Sequence, residues 1–436
     1  MHDTSSPGAT RVTRRAAIAG AAGALGAAAL AGIPLTAESQ RATAAAPPAP
    51  PAPTPAPAPA AIAYPADATK APGSPTTPVG SRAPSVKAAR TPFGEQTGFS
   101  LTPHHELTGT ITPSDLHIER HHAGIPLIDP ATHTLTIHGL VERPLVFTLD
   151  ELRRFPQVTR VHFVECSGNG RSAYRTPKPD MSPQIVAGLT SNSEWTGVPL
   201  RYLFDEAGVK PLAKWFLAEG GDACLLARSV PMAKAYDDAL VVWAQNGEPL
   251  RPETGFPMRL LLPGFEGNIN VKWLRRLELG TAPWATRWET AKYTDPLPGG
   301  KARQYSLELD AKSIITAPAF PGTLSGPGWQ RISGLAWSGR GTITRVDVST
   351  DNGATWSTAE LQGRALAKAH VRFEHPWKWD GREAVLLSRA TDETGYSQPT
   401  RKALIGVRGI GTDYHFNQIV GSRVQADGRV LFHGDT

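Results

Sequence analysis

Hydrophobic and polar positions alternate most clearly in four stretches of the chain. Thr134–Gly139 reads Thr-Leu-Thr-Ile-His-Gly, a half-buried strand with period two. Val161-His162-Phe163-Val164 is β-branched and aromatic, and breaks into Cys166-Ser167-Gly168-Asn169-Gly170, a run that favours a tight turn with positive φ. Trp215–Ala218 and Leu240–Ala244 read as further strands, the second ending on the hairpin pair Asn246-Gly247. Between them the pattern predicts two short helices. One covers 149–155 behind the cap Thr148; the other covers 198–204, opened by Pro199 and closed by Gly208. The apolar run Gly255–Gly264 predicts a buried strand containing Arg259, and Asn270–Leu274 repeats that pattern with Lys272.

After Asp310 the pattern changes to short strands separated by turn signals. Gly334–Gly339, 342–349 and 384–390 are such strands, and Asp351-Asn352-Gly353 is a hairpin mark. This predicts an immunoglobulin-like β-sandwich after a mixed α/β part, an α+β chain with its boundary near 310. Ahead of both, Pro/Ala-rich residues 47–95 lack apolar periodicity and read as a disordered tether. Residues 1–46 read as a twin-arginine export signal. Arg14-Arg15 precede a weakly apolar Ala/Gly/Leu run to Leu35, and Ala44–Ala46 offer a cleavage site. A retained membrane anchor is the competing reading of that run.

Composition adds less. The net charge of +6 suits an anionic partner or substrate, and no basic run with interleaved aromatics points to nucleic acid. Two cysteines, Cys166 and Cys224, leave no C-x-x-C, hence no covalent haem site or cysteine-held iron–sulfur cluster. A disulfide between them stays open at this point. Cys166, where a strand meets a glycine-rich loop, is open as a soft metal ligand, a nucleophile or a buried structural thiol. Arg259 and Lys272 inside apolar runs suit an anionic ligand, or else snorkelling or ion pairing. His117, His121 and His122 lie close together with Arg120 but at no regular metal-ligand interval, so a surface strand with solvated histidines competes with a site.

Taken in order, His121-His122-Ala123-Gly124-Ile125-Pro126, Glu165–Asn169, Glu194–Leu200, Lys214–Gly220, Pro263–Asn268, Val271–Arg276 and Gly334–Gly341 resemble the sulfite oxidase family of molybdenum enzymes. The nearest likeness is to its bacterial sulfane/sulfite dehydrogenase branch. The resemblance runs from about Leu101 to near the C-terminus. It implies a molybdopterin-binding catalytic domain over 96–310 and an immunoglobulin-like dimerisation domain over 311–436, hence a homodimer. It implies a mononuclear Mo-molybdopterin cofactor with Cys166 as the thiolate ligand of the metal. Tyr293, Arg120, Arg171 and Arg408 match residues around the substrate oxyanion. His122, Ser167, Asp222, Arg259, Asn270 and Lys272 match residues that hold the pterin and its phosphate. Thr254 and Asn270 stand where the animal enzymes have histidine. The implied reaction is oxidation of sulfite or carrier-bound sulfane sulfur, with electrons leaving to an external c-type cytochrome and the protein acting outside the cytoplasm. Two other readings compete: a molybdenum enzyme acting on sulfoxides, and an exported protein that only binds an anion.

Overall fold

The structure is a computed structural model that describes residues 75–436 apart from 298. The export signal and most of the expected tether lie outside the described residues. The chain divides into a unit ending at Gly80 and a unit from Ser81 to Thr436. Everything below concerns the second unit.

This unit begins earlier than the tether's expected end at 95. Thr91–Gly94 is already a strand, paired antiparallel with Gly98–Leu101, which pairs in turn with Glu119–His121. Phe93 stacks on Phe99 at 5.0 Å between ring centroids, a contact that composition could not reveal. Pro92 is tolerated because the strand lies at the edge of its sheet.

Two five-stranded sheets make the mixed α/β part. One runs Glu248–Pro249, Leu240–Gln245, Thr190–Pro199, Val158–Glu165, with Arg259–Leu261 also pairing Leu240–Gln245. The other runs Leu145–Thr148, Thr134–Gly139, Leu274–Gly280, Trp215–Gly220, Ala227–Pro231; Thr134–Gly139 and Leu274–Gly280 are parallel, the remaining pairs antiparallel. Leu135, Ile137, Phe204, Phe216, Leu260 and Leu277 share one core. The expected helices form as Leu149–Leu152, with the Thr148/Glu151 capping box, and Leu200–Ala207, which stops where Gly208 adopts φ +70°. Pro199 caps the second helix instead of opening it. The Asn246-Gly247 hairpin joins Leu240–Gln245 to Glu248–Pro249, both turn residues having positive φ.

Two expected strands are shorter than their apolar runs. Only Arg259–Leu261 of 255–264 pairs, because Gly255 has φ +117° and Pro257 and Pro263 bring no N–H. Residues 267–269 form a turn, 270–273 are bent, irregular chain with Trp273 at φ +54°, and the strand starts at Leu274. The Asn270 side chain replaces the ladder: its Oδ1 accepts from Leu262 N at 2.7 Å and its Nδ2 donates to Glu266 O at 2.9 Å.

The C-terminal part is a β-sandwich. A four-stranded sheet (Lys312–Ala317, Gly328–Trp337, Val371–Trp379, Glu360–Gln362) faces a five-stranded one (Ser357–Thr358, Ile343–Ser349, Ala384–Asp392, Gly421–Val424, Val430–His433). Ile332, Phe373, Val346 and Leu386 belong to the core they share. A smaller core of Phe163, Leu335, Trp337 and Val420 joins the sandwich to the strand that leads into Cys166.

Candidate active site

The strand Val158–Glu165 delivers Cys166 to a pocket with about 700 Å³ of space unfilled by atoms, the open solvent at its mouth included. Cys166 N–H donates to Leu189 O, and Asn169 N–H donates back to Cys166 O, which closes the turn. Gly267 packs on it so closely that an added Cβ would lie 2.8 Å from Glu165 O. Burial pushes the Cys166 thiol up, while Arg120, the Gly168 N–H and Arg171 pull it back toward the thiolate.

Opposite the thiol stand Arg120, His122 and Tyr293, all lining the same pocket. Arg120 Nη2 lies 3.2 Å from His122 Nδ1, and His122 Nε2 lies 2.7 Å from the Tyr293 hydroxyl. Burial, then Arg120, pushes His122 down to about 3, so its ring is neutral. A guanidinium only donates, so Nδ1 accepts and Nε2 carries the proton. The Tyr293 oxygen therefore accepts from His122, and its own O–H is free to donate. Burial, then the charge of Cys166, raises the Tyr293 phenol, so that proton stays in place.

The far wall carries Arg259 and Lys272. Arg259 is buried at 3% exposure, donates to Thr254 O and Asn270 O at 2.9 Å each, and leaves its Nε without a partner among the described residues. Lys272 donates to Glu253 O at 2.9 Å. Burial lowers Arg259 to about 9, and burial followed by Arg259 lowers Lys272 to about 7. Neither cation has a carboxylate in ion-pair contact among the described residues. A buried and a part-buried cation with no paired anion are costly unless a ligand brings one. Asp222 lies on the same pocket, its carboxylate taken by Leu226 N at 3.1 Å and Cys224 Sγ at 2.9 Å. Both cysteines are free, so the disulfide left open by the sequence does not form.

The structure thus brings together Cys166, Arg120, His122, Tyr293, Asp222, Arg259, Asn270 and Lys272. His117 is buried and His121 nearly so, which removes the reading of a strand of solvated histidines. Three of the expected residues point elsewhere. Arg408 is buried beside Asp295 at 3.7 Å and Asp310 at 3.6 Å, away from the pocket wall. Arg171 turns to Asp413 O at 2.7 Å, on the partly exposed side of the Cys166 loop. Ser167 faces a second, small cavity behind the loop, its Oγ accepting from Asn268 Nδ2 at 3.3 Å. Asn270 lines the pocket, but backbone groups use its amide.

Sequence reasoning missed Arg228, which is fully buried in Ala227–Pro231 and lies 5.2 Å over the Tyr293 ring. An arginine in an apolar strand was the available signal, the same one that marked Arg259. It also missed Tyr414, whose hydroxyl accepts from Tyr293 N at 3.1 Å. No local pattern links residues so far apart in the chain.

An oxidoreductase molybdopterin binding domain matches residues 122–288 and a Mo-co oxidoreductase dimerisation domain matches 303–422. Sulfite oxidase of Gallus gallus is 32% identical over 349 residues, covering 73% of this chain and 76% of that protein. An NADH nitrate reductase of Solanum lycopersicum is 32% identical over 352 residues, 71% of this chain and 38% of its own length. Mitochondrial sulfite oxidase of Rattus norvegicus is 30% identical, with 63% of its length covered, so this chain spans only part of several relatives. The crystal structure of the sulfane dehydrogenase SoxCD from Paracoccus pantotrophus superposes with a TM-score of 0.77 at 46% identity, over 79% of this chain and 90% of that one. The chain belongs to the sulfite oxidase family of molybdopterin oxidoreductases, and Mo-molybdopterin is its cofactor. The residues present fit that group: a soft thiol for the metal and two cations without an ion-pair partner among the described residues for the anionic end of the pterin.

Proposed function

We propose that this chain oxidises sulfite, or a sulfane sulfur held by a carrier protein, and passes the electrons one at a time to an external c-type cytochrome. The observation that carries the reading is the convergence of Cys166, Arg120 and Tyr293 on one pocket. Likeness to a sulfane dehydrogenase over nine-tenths of that structure's chain supports the sulfur substrate. In this reading Cys166 holds molybdenum, Arg259 and Lys272 hold the pterin phosphate, and Asp222 helps fix the pterin. The cofactor, when bound, supplies two-electron oxidation with transfer of a water-derived oxygen to sulfur. Sulfite plus water gives sulfate, two protons and two electrons.

The protein's own part is binding and orientation. Arg120 draws in the oxyanion and stays charged throughout. Tyr293, its oxygen held by His122, turns its O–H toward a substrate oxygen and fixes the sulfur's approach. Burial of the pocket strengthens each of these contacts. Arg171, close to Cys166 on the loop's other side, tunes the thiolate and does not touch substrate. Arg408 steadies the joint between Asp295 and Asp310. A homodimer formed through the sandwich and export by the twin-arginine route complete the proposal.

Nitrate reduction is the second reading, favoured by the likeness to a plant nitrate reductase. One assay separates the two. Purified protein should reduce a c-type cytochrome when given sulfite; failure to do so, together with dye-driven nitrate reduction, would replace the first reading by the second.

A further inference from the structure

The sandwich reaches into the metal site. Lys312, the first residue of Lys312–Ala317, is 4% exposed, and its ammonium lies 3.1 Å from Glu165 Oε1 and 3.0 Å from Asn169 O. Those two residues bracket Cys166, so one cation ties both ends of the loop that carries it. Trp337, opposite Lys312 in the same sheet, donates its Nε1–H to Glu165 Oε2 at 2.6 Å. Asn169 Nδ2 donates to Glu165 Oε1 at 2.8 Å. The Glu165 carboxylate thus has three donors, two of them from the sandwich. The fit leaves no slack: a Cβ on Gly170 would meet Lys312 Nζ and Phe416 at 3.2 Å each.

A buried ion pair of this kind adds little net stability over apolar residues of the same shape, because desolvation offsets the attraction. What it fixes is geometry. We propose that Lys312 is a positioning residue for Cys166: through Glu165 and Asn169 it sets where the sulfur meets the metal, and the sandwich is the back wall of the site as well as a dimerisation module. The proposal takes from the functional reading only that Cys166 is the ligand. It is independent of which sulfur substrate is oxidised.

The test uses full-length Lys312→Met, Lys312→Arg and the double variant Glu165→Gln/Lys312→Met, with molybdenum content measured in each. In molybdenum-containing protein, Lys312→Met should lower kcat by about tenfold or more with KM little changed, in line with the loss of a group that orients a metal ligand. Its sulfur-to-metal absorption band should shift. The double variant leaves no buried charge unpaired, so it should recover the wild-type Tm while keeping the low kcat and the shifted band; Lys312→Arg should recover part of both. In cofactor-free protein, iodoacetamide should alkylate the Cys166 peptide faster in Lys312→Met than in the wild type, and this comparison stands whether or not the functional reading holds. A wild-type band, kcat and alkylation rate in the double variant would overturn the proposal and leave Lys312 as packing alone.

Discussion

His122 Nε2 lies 2.7 Å from the Tyr293 hydroxyl, and the neighbouring Arg120 fixes which of the two donates. The pair spans most of the mixed α/β part in sequence, yet forms one wall of the pocket. Its consequence is a phenol whose proton is aimed into the site. Tyr293→Phe should lower kcat/KM for sulfite by about a hundredfold, the scale of losing one oriented donor. Molybdenum content and Tm should change little. Steady-state kinetics beside metal analysis checks this; unchanged kcat/KM would remove the hydroxyl from the mechanism.

Lys272 and Arg259 give a prediction of opposite signs. With no carboxylate in ion-pair contact among the described residues, and only the more distant charges of Glu119 and Asp222 favouring the Lys272 cation, they cost stability in cofactor-free protein until a ligand's anion offsets them. Lys272→Met should therefore raise the Tm of cofactor-free protein while lowering the molybdenum and pterin retained after purification. A variant that lost both stability and cofactor would show Lys272 to be structural.

Glycine at 267 is required by close approach to the backbone of Glu165 and Cys166. Gly267→Ala should displace the Cys166 loop and cost roughly 1–3 kcal/mol of stability, the usual scale of overpacking. Metal content should fall with it. Thermal unfolding and metal analysis on the same preparation test the link between loop position and metal retention.

Two buried histidines outside the pocket make the fold acid-sensitive. Burial holds His104 down to about 3 and pushes His370 well below its ordinary value. Both rings stay neutral in the folded chain but take up a proton when unfolded below about 6.5. The stability they contribute is therefore complete above pH 6.5 and is lost as the pH falls toward 3. Tm measured from pH 8 to pH 4 should fall in the acid half of the range, and His104→Gln should flatten that slope. A slope unchanged in the variant would contradict the assignment.

How much of this the sequence revealed depends on how local each feature is. Strand Thr134–Gly139, the Thr148 cap, the Asn246-Gly247 hairpin and the turn after Glu165 are set by neighbours along the chain, and period and turn chemistry expose them. Residues 270–273 were misleading, because the run there bends irregularly instead of joining a sheet once Asn270 satisfies three backbone groups across the loop. Arg408 looked like an oxyanion ligand by position, yet Asp295 and Asp310 lie beside it. Arg228, Tyr414 and Lys312 owe their places to contacts between distant segments, which no window of sequence contains.

Replacing Cys166 by serine tests the central claim most directly, with molybdenum content and sulfite-dependent cytochrome c reduction measured on both proteins. The wild type should contain about one molybdenum per chain, as a single ligand thiolate implies, and should turn over sulfite. Cys166→Ser should lose turnover while keeping its thermal transition. A Cys166→Ser protein that still oxidised sulfite at the wild-type rate, or a wild type without molybdenum after growth on adequate molybdate, would contradict the account.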